Sequence, residues 1–113
     1  MAAVGNELFV IDGGSNTIDV FSLAGAHLRS FGLGDGNRPH TLRHFDGRLY
    51  LEDYGEKGSR IIVLTLEGER LQVWRPDAGR AVSALKCIYG RKLLIHTTNA
   101  NGGDARLEAL HGI

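Results

Sequence analysis

The side chains that most often carry chemistry are present in this sequence, but they do not form a known catalytic motif. Serine, histidine and aspartate all occur, yet no Gly-x-Ser-x-Gly elbow presents a nucleophile, so a catalytic triad is not predicted. The glycine-rich segment 32–36 resembles a phosphate loop in composition, but no helical pattern follows it to supply a helix N-terminus. Segment 12–16 lacks the alternating oxygen ligands of an EF-hand calcium loop.

One histidine occupies a position from which it could bind a ligand or partner. His40 follows Pro39 at the start of a predicted strand, directly after a loop, and loops on a rigid scaffold are where binding residues concentrate. The remaining histidines are interpreted as structural or solvated: His27, His44, His96 and His111. His40 is therefore the strongest single candidate for a functional side chain.

Two aspartates end equivalent predicted strands. Asp12 and Asp53 each follow a short apolar run and precede a polar turn. A carboxylate in that place can accept hydrogen bonds from the backbone N–H groups of the turn, or pair with an arginine such as Arg60. We therefore predict structural roles for both.

The composition is that of one compact domain without a strong charge. The 113 residues include 13 basic and 13 acidic side chains. The sequence therefore lacks the excess of basic residues that would indicate a phosphate-rich partner. A single cysteine excludes an intrachain disulfide, and neither a signal peptide nor an apolar run of about 18 residues is present. We expect no membrane span and favour an intracellular location. The 16 glycines predict many tight turns and many short strands.

An internal repeat organises these strands and turns. Residues 8–12 align with 49–53 at an offset of 41, and residues 18–21 align with 61–64 at an offset of 43. A weaker third copy, 93–97, lies 44 residues beyond 49–53. Four short β-type runs per copy predict an all-β fold of β-propeller blades, each with four antiparallel strands. The predicted blades span about residues 1–32, 39–75 and 81–113.

The repeat resembles the NHL family of β-propellers over nearly the whole chain. The middle copy carries the motif residues Pro39, His40, Leu42, Asp46, Gly47, Arg48, Leu49, Asp53, Glu67 and Gly68. The first copy carries Gly5, Asn6, Leu8, Asp12, Gly25 and Gly32. Closed propellers of this type usually hold about six blades, so the resemblance implies an incomplete ring of about three blades. We expect either a fragment of a longer product or a homo-oligomer that pairs head to tail to complete the ring.

The resemblance leaves several functions open. NHL-type propellers include protein-interaction scaffolds, RNA-binding regulators and metal-dependent lyases. The leading prediction is a scaffold that binds a protein partner, and the alternatives are a metal-dependent lyase or lactonase and an RNA-binding module. In the lyases that resemble this family, a histidine in a Pro-His context can bind zinc, but His40 would need further ligands from a second chain or from missing blades. No catalytic residue and no cofactor is predicted.

One end of the predicted blades carries the longer connections. Alternate turns of an antiparallel meander lie at opposite ends, so the turns at 13–16, 54–59 and 98–104 share an end with the connections 32–40 and 76–80. We call this end the loop-rich face and predict that a partner binds there. The predicted binding residues on or near it are Asn16, Arg38, His40, Lys57, Arg60, Arg75 and Asn99.

Overall fold

Short apolar and β-branched runs, each closed by a tight turn, fold as strands along the chain. The computed structural model describes residues 1–34, 38–55, 58–99 and 101–111. The strands in the described part of the chain are β1 (Ala2–Val4), β2 (Glu7–Asp12), β3 (Thr17–Ser22), β4 (His27–Gly32), β5 (Pro39–Phe45), β6 (Arg48–Gly55), β7 (Gly58–Thr65), β8 (Arg70–Trp74), β9 (Arg80–Tyr89), β10 (Lys92–Asn99) and β11 (Arg106–His111). The described residues include no helix that could cross a membrane.

The strands form three antiparallel sheets in chain order. Strands β1–β4 form blade 1, β5–β8 form blade 2, and β9–β11 form blade 3, with each strand paired to its neighbours in sequence. The chain is therefore all-β and consists of successive blades of an open ring, as the repeat predicted. Blades 1 and 2 have four strands each, and the described part of blade 3 has three.

The three blades stack face to face, and their cores lie between them. One apolar cluster joins blades 1 and 2 through Phe9, Val20, Leu49 and Leu64, all of which are buried. A second cluster joins blades 2 and 3 through residues that include Tyr50, Ile61, Leu85 and Ile95. Blade 2 is consequently covered on both faces. A propeller blade cannot bury both faces alone, so this stacking supplies most of the hydrophobic stabilisation.

The repeat alignment also predicts which face each side chain occupies. Leu49 and Leu93 hold equivalent positions, and each faces the blade that precedes its own. Phe9 and Tyr50 hold the next position, and each faces the blade that follows. Successive side chains of a strand point to opposite faces of the sheet. If the alignment at the offsets of 41 and 44 were shifted by one residue, equivalent side chains would therefore lie on opposite faces. The observed faces confirm that register.

The turn between β6 and β7 differs from the prediction. The segment 54–59 was expected to be a long polar loop, and that expectation is wrong for most of its length. Strand β6 continues to Gly55 and β7 begins at Gly58, with Tyr54 paired to Ser59 and Gly55 to Gly58. The hairpin extends because Tyr54 and Ser59 are anchored at the boundary with blade 3: the Tyr54 hydroxyl lies 3.3 Å from the carbonyl oxygen of Val82, and the Val82 N–H donates to Ser59 Oγ at 2.8 Å.

Candidate functional site

The loop-rich face forms as predicted, and hydrogen bonds connect its turns to its connections. In blade 1, the N–H of Leu33 donates to the carbonyl of Asn16 at 3.0 Å, which ties the β4–β5 connection to the β2–β3 turn. In blade 2, the N–H of Tyr54 donates to the carbonyl of Arg38 at 3.0 Å. These bonds hold the described loop segments against the strand ends, so the backbone that carries the side chains of this face is fixed.

His40 belongs to a polar cluster that we call the His40 cluster, formed by His40, Glu52 and Tyr54. The imidazole Nδ1 lies 3.1 Å from Glu52 Oε2, and the Tyr54 hydroxyl donates to the same oxygen at 2.9 Å. The rings of His40 and Tyr54 meet edge to face at 5.7 Å between centroids. The Glu52 side chain is 1% exposed, whereas the His40 side chain is 64% exposed. A buried carboxylate therefore supports a solvent-facing imidazole.

The electrostatics of this cluster keep the tyrosine neutral. Burial, the hydrogen bond to the Glu52 carboxylate and the negative charge of that carboxylate together raise the pKa of Tyr54 to about 12, and burial is the largest of the three causes. A neutral phenol remains a donor at physiological pH, so Tyr54 compensates part of the cost of burying Glu52. The cluster thereby fixes the orientation of the His40 imidazole at the loop-rich end of blade 2.

The His40 cluster cannot form a closed metal centre by itself. A structural zinc site needs four ligands and a catalytic one needs three from the protein. His40 and Glu52 supply two candidate ligands, and the described residues contain no group of three histidine, cysteine, aspartate or glutamate side chains suited to a metal ion. An oriented imidazole of this kind can accept or donate a hydrogen bond, or contact a carboxylate on a partner.

Glu52 and Tyr54 are components of the cluster that the sequence interpretation did not single out. One signal could have found Glu52. The corresponding positions in the other copies hold Ile11 and His96, so a carboxylate interrupts an otherwise apolar strand in blade 2. A charged residue in such a run needs a partner when it is buried. The exposed histidine on the adjacent strand provides that partner.

The two strand-end aspartates have the structural roles that were predicted for them. The Asp12 carboxylate Oδ1 accepts hydrogen bonds from the N–H groups of Gly14 and Ser15 at 3.1 and 3.2 Å. Asp53 is fully buried, and its Oδ2 accepts a hydrogen bond from Arg60 Nε at 2.8 Å. Arg60 is consequently part of an internal ion pair, with its side chain 13% exposed.

Both predicted asparagines shape turns. Asn16 adopts a positive φ of 55° and its side-chain amide donates to the carbonyl of Gly34. Asn99 Oδ1 accepts hydrogen bonds from the N–H groups of Asn101 and Gly103 at 3.0 and 2.9 Å. These contacts stabilise the loop-rich face, since asparagine tolerates the left-handed region and caps turns through its side chain.

The remaining predicted residues are arginines and one lysine. Arg38 and Arg75 are exposed, and neither makes an ion pair with any described residue. Arg38 directly precedes β5 and Arg75 directly follows β8, so the two lie at the same end of blade 2 on opposite edges of the sheet. Lys57 lies outside the described residues.

A cleft of about 300 Å³ opens on the loop-rich face between blades 2 and 3. Ser59, Arg75 and the segment 76–80 line it. Its floor is held by Arg80, whose guanidinium donates to Thr97 and to the Asp104 carboxylate at 3.0 Å. The Arg80 side chain is 5% exposed and fully engaged, so Arg75 is the cation that the cleft presents to solvent.

A second group of catalytic residue types lies on the opposite edge of the molecule, in blade 1. Ser30 Oγ lies 2.7 Å from His27 Nε2 and donates to Asp19 Oδ1 at 2.7 Å. Serine here stands between histidine and aspartate, whereas a triad places the histidine between the other two. Because the Ser30 hydroxyl donates its hydrogen bond to the Asp19 carboxylate, the imidazole does not accept its proton and does not activate it as a nucleophile.

No model of a known protein family matches the chain, and a search of curated proteins finds no similar sequence.

Proposed function

We propose that the chain is a set of NHL-type propeller blades that binds an acidic segment of a protein partner through the loop-rich face of blade 2. The observation that carries this proposal is that exposed arginines lie at the loop-rich end of blade 2, where backbone hydrogen bonds fix the loops. Arg38 and Arg75 have no ion-pair partner among the described residues, and the exposed imidazole of His40 is anchored on a buried carboxylate. Exposed polar groups on a fixed scaffold are typical of recognition surfaces.

The spacing of the two arginines defines the ligand. They flank the first and last strands of a four-stranded sheet, and strands are spaced about 4.8 Å apart, so their backbones are separated by roughly 14 Å. An extended peptide rises about 3.4 Å per residue, so carboxylates four residues apart span the same distance. The fitting ligand is therefore an extended peptide with acidic residues at positions i and i+4.

The charges on this face favour a protein over RNA. A nucleic acid needs a continuous run of cations along its phosphates. The same end of the molecule carries the exposed carboxylates of Asp77 and Asp104, which pair with Arg106 at 3.7 and 3.2 Å. These ion pairs interrupt the run of exposed cations that a nucleic acid requires, whereas a peptide with two separated acidic residues needs only the two arginines.

The test is a binding measurement with designed peptides. Fluorescence anisotropy is measured with a labelled Gly-Ser peptide that carries glutamates at positions i and i+4, and with a matched peptide whose two glutamates are adjacent. We expect the spaced peptide to bind more tightly. Arg75→Glu should weaken it by about tenfold or more, which corresponds to about 1.4 kcal/mol.

Arg91→Glu provides the matched control. Arg91 is an exposed arginine in the β9–β10 turn, at the end of the molecule opposite the loop-rich face, where its nearest acidic group is Asp46 at 3.5 Å. This variant should leave peptide binding unchanged. Equal affinity for both peptides, or equal effects of Arg75→Glu and Arg91→Glu, would refute the proposal. Tighter binding of a single-stranded oligoribonucleotide with a steep salt dependence would replace it with RNA recognition.

A further inference from the structure

Two sheet faces at opposite ends of the stack are covered by no described element of the chain. The open face of blade 1 includes Leu8, Val10, Asp19, Phe21 and His27, which lie opposite the side that packs on blade 2. The open face of blade 3 consists of Lys92, Leu94, His96, Leu107 and Ala109, which lie opposite the side that packs on blade 2. We propose that the open face of blade 3 binds the open face of blade 1 of a second copy of this chain.

The first support is the contrast in burial at equivalent repeat positions. Leu107 is 64% exposed, whereas its equivalent in blade 2, Val63, is fully buried against blade 3. Leu8 and Val10 are half-buried, although their equivalents in blade 2, Leu49 and Leu51, are fully buried against blade 1. Side chains suited to an interior therefore stand in partial contact with solvent, and contiguous apolar patches of this kind mark interaction sites.

The second support is that the chain itself contains the required interface twice. Blade 1 presents the face of Phe9 to the face of Leu49 in blade 2, and blade 2 presents the face of Tyr50 to the face of Leu93 in blade 3. The repeat places Leu94 at the position of Phe9 and Tyr50, and Leu8 at the position of Leu49 and Leu93. Blade 3 of one copy can therefore stack on blade 1 of another in the same mode.

The third support is complementary charge. The open face of blade 1 carries the carboxylate of Asp19, which lies opposite Val10 in the middle of the sheet. The open face of blade 3 carries Lys92 and His96. Two copies of the same face would oppose like groups, whereas a head-to-tail contact opposes Asp19 to basic side chains. Such a heterologous contact generates a ring or an open chain, and its two surfaces differ.

The difference between the two surfaces provides a sharp test with the full chain. Sedimentation velocity over a range of micromolar concentrations should show species above the monomer mass of 12.3 kDa. Leu107→Glu introduces a carboxylate on the open face of blade 3, and Val10→Glu introduces one on the open face of blade 1. Each variant alone should be monomeric, with association weakened at least tenfold. An equimolar mixture should form a dimer, because one intact face remains on each variant.

Leu23→Glu is the matched control. Leu23 is 62% exposed, close to the value for Leu107, but it lies in the β3–β4 turn and on neither open face. This variant should associate like the unaltered chain, and circular dichroism checks that all variants keep their sheets. A monomeric unaltered chain at every concentration, self-association of either face variant, or a mixture that stays monomeric would each overturn the proposal. Peptide binding at the loop-rich face lies on a different surface, so either result leaves that test independent.

Discussion

Blades 1 and 2 share one strand order and one set of turn glycines, but they differ in how many neighbours they have. Blade 2 packs on a blade at each face, and Leu49, Leu51 and Ile62 are fully buried. Blade 1 packs at one face, and Leu8 and Val10 remain half-buried. The comparison shows that a repeat sequence specifies the sheet, while stacking decides what each repeated side chain does.

The aspartates at equivalent positions of blades 1 and 2, Asp12 and Asp53, illustrate the point. In blade 1, Asp12 stays partly exposed and caps its turn. In blade 2, the hairpin continues past the equivalent Asp53, which becomes fully buried and pairs with Arg60. The same residue type therefore contributes a local turn contact in one blade and an internal ion pair in the other. Substitutions at matched positions can separate these contributions.

The largest expected effect is at this pair of positions. Asp53→Ala should lower the free energy of unfolding by about 3 to 4 kcal/mol, because it leaves the guanidinium of Arg60 buried without its carboxylate. Asp12→Ala should cost about 1 kcal/mol, since it removes turn hydrogen bonds that water can replace. Urea unfolding followed by circular dichroism measures both.

A double variant decides whether burial of the charge is the cause. Asp53→Ala combined with Arg60→Met removes both members of the ion pair and should cost less than Asp53→Ala alone, because the guanidinium that has lost the Asp53 carboxylate is removed as well. If Asp12→Ala and Asp53→Ala destabilise the chain equally, the contrast between a capping and a paired aspartate is wrong.

The second comparison concerns the glycines of the tight turns. Gly25 and Gly68 hold equivalent positions in the tight turns of blades 1 and 2, with positive φ of 91° and 93°. A Cβ at Gly25 would meet no atom within 4 Å, whereas one at Gly68 would lie 2.4 Å from Phe31 Cδ2 of blade 1. Gly25→Ala should cost about 1 kcal/mol from backbone strain. Gly68→Ala should cost about 2 to 3 kcal/mol, since Phe31 must also move.

Removing the obstructing ring tests the origin of that difference. In a Phe31→Ala background, Gly68→Ala should cost no more than Gly25→Ala does in the unaltered chain, because only the backbone strain remains. A cost at Gly68 that persists without the Phe31 ring would show that backbone conformation alone explains it. Thermal and urea unfolding of the four variants provide the values.

The sequence predicts the strands better than it predicts how side chains are buried between the blades. Apolar runs and glycine spacing depend on neighbours in the chain, so the run at 8–12 predicts β2, which spans Glu7–Asp12, to within one residue at each end. The burial of Asp53 and Glu52 depends on the neighbouring blades. The pairing of Asp53 with Arg60 is one of the two roles that the sequence predicts, but the full burial of Asp53 and the contact of buried Glu52 with His40 on β5 are not indicated by local patterns.

The smallest expected effect concerns Tyr54, which stands where blade 1 has Gly13. Its pKa is raised from 10 to about 12 by burial and by Glu52, so the folded chain favours the neutral phenol. The stabilisation is therefore fully present below pH 10 and is lost as the pH rises through about 12. Burial also raises the pKa of Tyr50, so ultraviolet titration of tyrosinate should show late transitions from both tyrosines, and Tyr54→Phe should remove one of them. If Glu52→Gln leaves that transition unmoved, burial alone raises the pKa and the carboxylate contributes nothing; a downward shift would show that Glu52 holds the phenol neutral, as the shared oxygen of the His40 cluster requires.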